Sequence, residues 1–174
     1  MRRARYRLGQ FAAHLFPRPL SADEAAEVER VLGQPLAALF RRQTTSDQAH
    51  AWRVMQTVAG GAHARQRELL QAALLHDVGK SQAPLSLADR ALVVLARRFV
   101  PTAAQRWGHG PPRGWRRPFV TARCHADWGA DLCAQAGAPP LTVRLIRRHQ
   151  SALATPLTPE DEMLTLLQAA DDDN

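Results

Sequence analysis

The residues with the clearest chemical potential are adjacent in the chain. His76 and Asp77 stand in Leu74-Leu-His-Asp-Val-Gly-Lys80, at the end of a strongly apolar run. Placing an imidazole and a carboxylate at a buried helix end is costly unless their charge and hydrogen-bonding capacity are met. A divalent cation meets both, because neutral histidine nitrogen and carboxylate oxygen are good ligands for it. Neighbouring positions on a helix diverge by about 100°, so the two side chains must lean inward from either side of the axis to share one ion. A hydrogen-bonded core pair is the plainer use of such a dipeptide.

Four further residues bear on that choice. His50 lies 26 positions upstream, with Val54 and Val58 following at four-residue steps. A histidine on such an apolar stripe is ordinarily a core residue, yet an antiparallel neighbour would present it to the His76–Asp77 end. His125 stands in Cys124-His-Ala-Asp-Trp-Gly-Ala-Asp-Leu132, where Gly129 one turn later admits close approach of another backbone or a ligand. His149 closes Arg147-Arg-His149, and Asp171 lies near the chain's end with Asp172 and Asp173 as alternatives. Each sits on a separate predicted helix, which is how metal sites in the cores of helical bundles are assembled.

The elements that must position these residues all read as helices. Ser21-Ala-Asp-Glu24 is a capping box opening a helix to Leu32, which Gly33 stops. Pro35 starts a short helix through Phe40, and Thr45-Ser-Asp-Gln48 opens one to Val58. Residues 65–78 form an apolar helix ended by Gly79; Ser86 caps another through Arg98, and Thr102–Trp107 adds a turn or two. Gly108–Pro118 is Gly- and Pro-rich and reads as an irregular loop. Helices over Phe119–Ala136, Leu141–His149 and from Thr158 onward complete an all-α bundle. Residues 1–44 are expected to form a helical extension packed on residues 45–174, with an Arg-rich insertion around 97–118, in one structural unit.

The order His50, His76-Asp77, Asp171 resembles the signature of the HD-domain metal-dependent phosphohydrolase superfamily, and HDVGK resembles its central motif. His125, followed by Gly129-Ala130, and His149 are similar to the extra ligands of two-metal members. Those include bacterial dinucleoside tetraphosphate hydrolases and HD-GYP cyclic dinucleotide phosphodiesterases. The similarity spans about Asp47 to Asp171. It implies an HD-domain helical bundle in which His50, His76, Asp77 and Asp171 hold one ion, while Asp77 bridges to a second held by His125 and His149. The ions would be one or two divalent transition metals (Mn, Fe, Zn, Co or Ni). Lys80 matches a position that contacts substrate phosphate in many members. Gln150-Ser-Ala-Leu153 follows His149 in place of the Gly-Tyr-Pro element of the cyclic dinucleotide enzymes, which argues against that substrate.

The implied activity is hydrolysis of a nucleotide-type phosphate ester or anhydride. No G-x-S-x-G nucleophile motif occurs, so direct attack by metal hydroxide is the economical reading, with Asp77 and Lys80 as the catalytic pair. Lys80 is the sole lysine and suits a phosphate as a point charge, although any cation is favoured at a helix C-terminus. Arg113, Arg116, Arg117 and Arg123, with Trp115 and His109, read either as a substrate-binding flap or as a solvated loop. Trp52 and Trp128 are expected in the core, His14 and His63 on the surface, and Cys124 packed, not ligating.

Composition is consistent with these readings. The chain has 174 residues, 45% of them hydrophobic and 6% aromatic, and a net charge of +7 carried almost wholly by arginine. That balance suits phosphate-bearing partners, a nucleotide first and nucleic acid second. A non-catalytic HD module that binds nucleotide or RNA around a structural metal is the alternative. Attachment to a membrane surface through Arg2, Arg3, Arg5 and Arg7 is a weaker one, because the flanking apolar face is short. No run is long enough to span a bilayer, and no signal peptide is evident. Cys124 and Cys133 lie too far apart along one predicted helix for a disulfide, as expected of a cytoplasmic protein.

Overall fold

Every regular element is helical in the computed structural model, which describes residues 18–61, 66–153 and 158–174. The helices are α1 (Ala22–Leu32), α2 (Gln34–Phe40), α3 (Thr45–Ala59), α4 (Arg67–Leu75), α5 (Leu87–Phe99), α6 (Pro101–Trp107), α7 (Arg117–Gln135), α8 (Pro140–Arg148) and α9 (Pro159–Asp172). Two 3-10 turns, Val78–Gln82 and Gly114–Arg116, precede α5 and α7. Capping boxes at Ser21, Ser86 and Thr158 fix three of the helix starts, each returning an acidic side chain to its own cap backbone.

Helix α4 is the axis of the fold. Leu69, Ala72, Ala73, Leu74 and Leu75 are fully buried, and α3, α8, α9 and the α1–α2 pair pack around them. Its polar groups are met from outside: Gln71 donates to the Val31 carbonyl and Thr142 to the Glu68 carbonyl. Val31, Leu32, Leu36 and Phe40 belong to the same core, so the α1–α2 extension is integral to it. A second, smaller core joins α5, α6 and the start of α7 through Val93, Ala96, Ala104, Phe119 and Ala122, with Trp107 against it.

Four expectations need correction. The α3 cap is Thr44, not Thr45, because its hydroxyl accepts from the Asp47 amide. Helix α4 stops at Leu75 instead of Val78: Asp77 leaves helical geometry at φ −99°, ψ 1°, and opens the 3-10 turn. The 108–118 segment is not wholly irregular, since Pro118 suits a first helical turn and α7 begins at Arg117. Trp128 lies outside both cores, half-buried beside Pro112 and Leu132. Trp52 packs against the main core as expected. Arg2, Arg3, Arg5, Arg7, His14 and His63 lie outside the described residues.

The turn after Asp77 is pressed directly onto α7. A Cβ on Gly79 would stand 1.9 Å from the His125 carbonyl oxygen and 2.6 Å from the Gly129 amide nitrogen. A Cβ on Gly129 would meet the Gly79 amide nitrogen at 3.1 Å. Two glycines therefore face each other across a backbone contact that excludes a side chain at position 79 and leaves little room for one at 129. That contact carries His125 alongside Asp77.

Candidate metal centre

Five elements deliver the six candidate residues to one place: α3 gives His50, the α4–turn junction His76 and Asp77, α7 His125, the end of α8 His149, and α9 Asp171. They form two triads, His50–His76–Asp171 and Asp77–His125–His149, each with ligand atoms within 4.8 Å of one another. In the first, His50 Nε2 lies 2.9 Å and His76 Nε2 3.5 Å from Asp171 Oδ1. In the second, Asp77 Oδ1 lies 3.3 Å from His125 Nε2 and 4.0 Å from His149 Nε2. The other Asp77 oxygen, Oδ2, is 3.5 Å from His76 Nε2 and also accepts from Lys80. One carboxylate thus turns an oxygen toward each triad.

Backbone carbonyls decide the tautomers. His76 Nδ1 donates to Ala73 O at 2.9 Å, His125 Nδ1 to Thr121 O at 2.9 Å, and His149 Nδ1 to Ile146 O at 2.7 Å. A carbonyl only accepts, so each Nδ1 carries a proton, and whichever of these rings is neutral points an Nε2 lone pair into the site. His125 Nε2 and His149 Nε2 are 3.3 Å apart, which in neutral rings sets lone pair against lone pair. His76 Nε2 is buried with no well-formed hydrogen bond. Such nitrogens need a cation or an extra proton between them. The donor set fits a divalent ion: imidazoles held by second partners in the ligating tautomer, and two carboxylates.

The electrostatics point the same way. Burial alone would lower the His76 imidazole, but Asp77 and Asp171 outweigh it and raise it to about 9. Burial, aided by the proximity of His76, pushes His149 down to about 3, so it stays neutral. Burial works to raise both Asp77 and Asp171, yet each stays well below the usual carboxylate range. Lys80, His76 and His125 hold Asp77 down, and His50 and His76 hold Asp171 down. The two carboxylates are balanced by Lys80 and the His76 proton, and a divalent ion that expels that proton leaves these groups net positive. Asp77, His125 and His149 are almost inaccessible, whereas the Asp171 side chain is 31% exposed, so solvent reaches the cluster from the α9 side.

Asp171 is the acidic residue of the C-terminal run that joins the cluster. Lys80 reaches the cluster by donating to Asp77. The Arg-rich segment does not: Arg117 pairs with Asp89 at 2.8 Å, Arg116 lies over the Trp115 ring, and Arg113 is exposed. Arg123 and His109, grouped with that segment in the sequence, instead line a cleft of about 730 Å³ between α5–α6 and α7 that continues past the end of α8. Its wall includes Arg97, His109, Arg123 and Arg148, together with Ala122, Ala126 and Gln150, which are close chain neighbours of His125 and His149. Those arginines come from three helices and share no motif, so only the packing brings them together. The Asp47–Arg90 ion pair, 2.7 Å long with its carboxylate buried, ties α3 to α5 and was equally invisible across 43 positions.

Comparison with family models, curated proteins and solved structures returns no match for this chain.

Proposed function

We propose that this chain is a metal-dependent phosphohydrolase of the HD type, acting on a nucleotide phosphate ester or anhydride. The observation that carries the reading is the convergence of the Nε2 atoms of His76, His125 and His149, each ring held at Nδ1 by a backbone carbonyl, on a carboxylate whose two oxygens face different triads. His50, His76, Asp77 and Asp171 would hold one divalent transition metal, and Asp77, His125 and His149 a second. Bound there, such ions supply Lewis acidity and a water acidified toward neutral pH. The chain's own residues do the rest. Asp77 fixes the separation of the two ligand groups, and the three backbone carbonyls hold the rings in register. Lys80, 20% exposed beside Asp77, neutralises a substrate phosphate as a point charge. Arg123 and His109 in the adjoining cleft suit the remaining bulk of a nucleotide. Free Cys124 and Cys133 accord with a cytoplasmic setting.

Elemental analysis of the purified protein, followed by a manganese-supplemented phosphatase screen over nucleotides and dinucleoside polyphosphates, tests this directly. Bound metal with turnover that a chelator abolishes is the expected result. Bound metal with nucleotide binding and no turnover would replace it with the non-catalytic module. Absence of metal after manganese loading would remove both.

A further inference from the structure

The face of α5 turned away from the smaller core is apolar and uncovered. Its outward positions 87, 88, 91, 92, 94, 95, 98 and 99 carry Leu, Ala, Ala, Leu, Val, Leu, Arg and Phe, and all are exposed. Phe99 is 73% and Val94 66% exposed, and Val100 extends the surface past the helix end. A face of this breadth is unusual without a partner. Trp115, in the turn before α7, is a further exposed aromatic and packs edge-on to Trp107.

The segment that carries this face is one-sided in charge, and Arg98 lies on the face itself. Residues 87–117 hold seven arginines and one acid, Asp89, which Arg117 already engages. Arg98, Arg106, Arg113 and Arg116 have no carboxylate partner among the described residues; Arg98 and Arg116 lie over the rings of Phe99 and Trp115. No helix among the described residues is long and apolar enough to cross a membrane.

We propose that the outward face of α5, with these arginines, docks the protein on an anionic lipid surface. Aliphatic and aromatic side chains sink to the acyl boundary while guanidinium groups meet lipid phosphates, the pattern of an interfacial amphipathic helix. Charge complementarity selects this occupant. A second copy packed face to face would bring together two arginine-rich segments whose one acid, Asp89, is already engaged, and nucleic acid offers nothing to cover Leu92, Val94 and Leu95. This surface shares no residue with the metal centre, so its test is independent of the catalytic reading.

The test is cosedimentation of the full-length chain with vesicles of phosphatidylcholine alone and with added phosphatidylglycerol. Binding should rise with phosphatidylglycerol and fall with salt. Leu95→Gln/Phe99→Gln and, separately, Arg98→Gln/Arg106→Gln should each lower the partition coefficient roughly tenfold or more, with unchanged circular dichroism. Absent or lipid-indifferent binding by the wild type overturns the proposal. So does wild-type binding by both variants, which would move the contact elsewhere, for instance to Arg2, Arg3, Arg5 and Arg7. A wild-type dimer that Leu95→Gln/Phe99→Gln converts to monomer also overturns it, by assigning the face to a second copy.

Discussion

Helix α4 buries Leu69, Leu74 and Leu75 completely, whereas α5, drawn from much the same residues, leaves Leu92 and Leu95 about half exposed. The difference lies in what surrounds them. Helix α4 is covered by α1, α2, α3, α8 and α9, while α5 touches mainly α6 and the first turns of α7. Helix α7 spans both worlds: Phe119 and Ala122 belong to the smaller core, Ala130 and Cys133 to the main one, and His125 lies between. Apolar content therefore says that a helix needs a partner, not that the chain supplies one. The closed region holds a polar cluster at its centre; the open one carries a basic, apolar exterior.

The largest expected effect is the loss of the closed region's organising carboxylate. Asp77→Ala removes the oxygen facing each triad, so metal content should fall to background for both groups, with Lys80 left unpaired. His125→Ala/His149→Ala should remove one ion and spare the other. Elemental analysis after manganese loading reads both. Equal loss in the two proteins would mean that the triads are one site.

Next comes the backbone contact that assembles the cluster. Gly79→Ala sets a methyl against the His125 carbonyl and the Gly129 amide, neither of which is a flexible side chain. Overpacking of this kind should cost about 3 kcal/mol, and metal affinity should fall as the turn separates from α7. Denaturant melts with and without manganese separate the two effects. A wild-type midpoint would show that the turn has room to move.

A pH dependence follows from His76. In the ion-free protein its imidazole is raised to about 9, so it is protonated at neutral pH, and an ion can take Nε2 only by expelling that proton. Affinity at this triad should therefore increase with pH up to about 9, falling roughly tenfold per unit below it while one proton is displaced. Metal titrations between pH 6 and 9 measure the slope. A flat profile would mean that the ion bypasses His76.

The sequence was legible where a local rule operates. Capping residues, glycines and the apolar run before His76 give the helix order, and the His76-Asp77 pair with the outlying histidines and Asp171 are residues that do converge. Gly129 allows a close approach by another backbone, and the backbone that makes it is that of Gly79. Illegible features were those made by tertiary packing. Periodicity could not end α4 at Leu75, because the Gly79–Gly129 contact that holds the turn joins segments 50 positions apart. Nor could it gather Arg97, Arg123 and Arg148 into one cleft, or say that α5 lacks a covering helix.

The smallest expected effect is also the sharpest test of the contrast. Leu75→Ala and Leu95→Ala delete the same atoms from neighbouring helices of one chain. At Leu75, fully buried in α4, the loss combines lost burial with a cavity and should cost about 2–5 kcal/mol. At Leu95, 56% exposed, little apolar surface leaves water on folding, and the residue sits opposite Val93 and Ala96, which hold α5 to the smaller core. Alanine there even favours helix slightly. The change in unfolding free energy should stay within about 0.5 kcal/mol, read from denaturant midpoints at constant slope. A Leu95→Ala loss approaching that of Leu75→Ala would mean that α5 is covered in solution, by a part of the chain outside the described residues or by a second molecule. The open half of the comparison would then close.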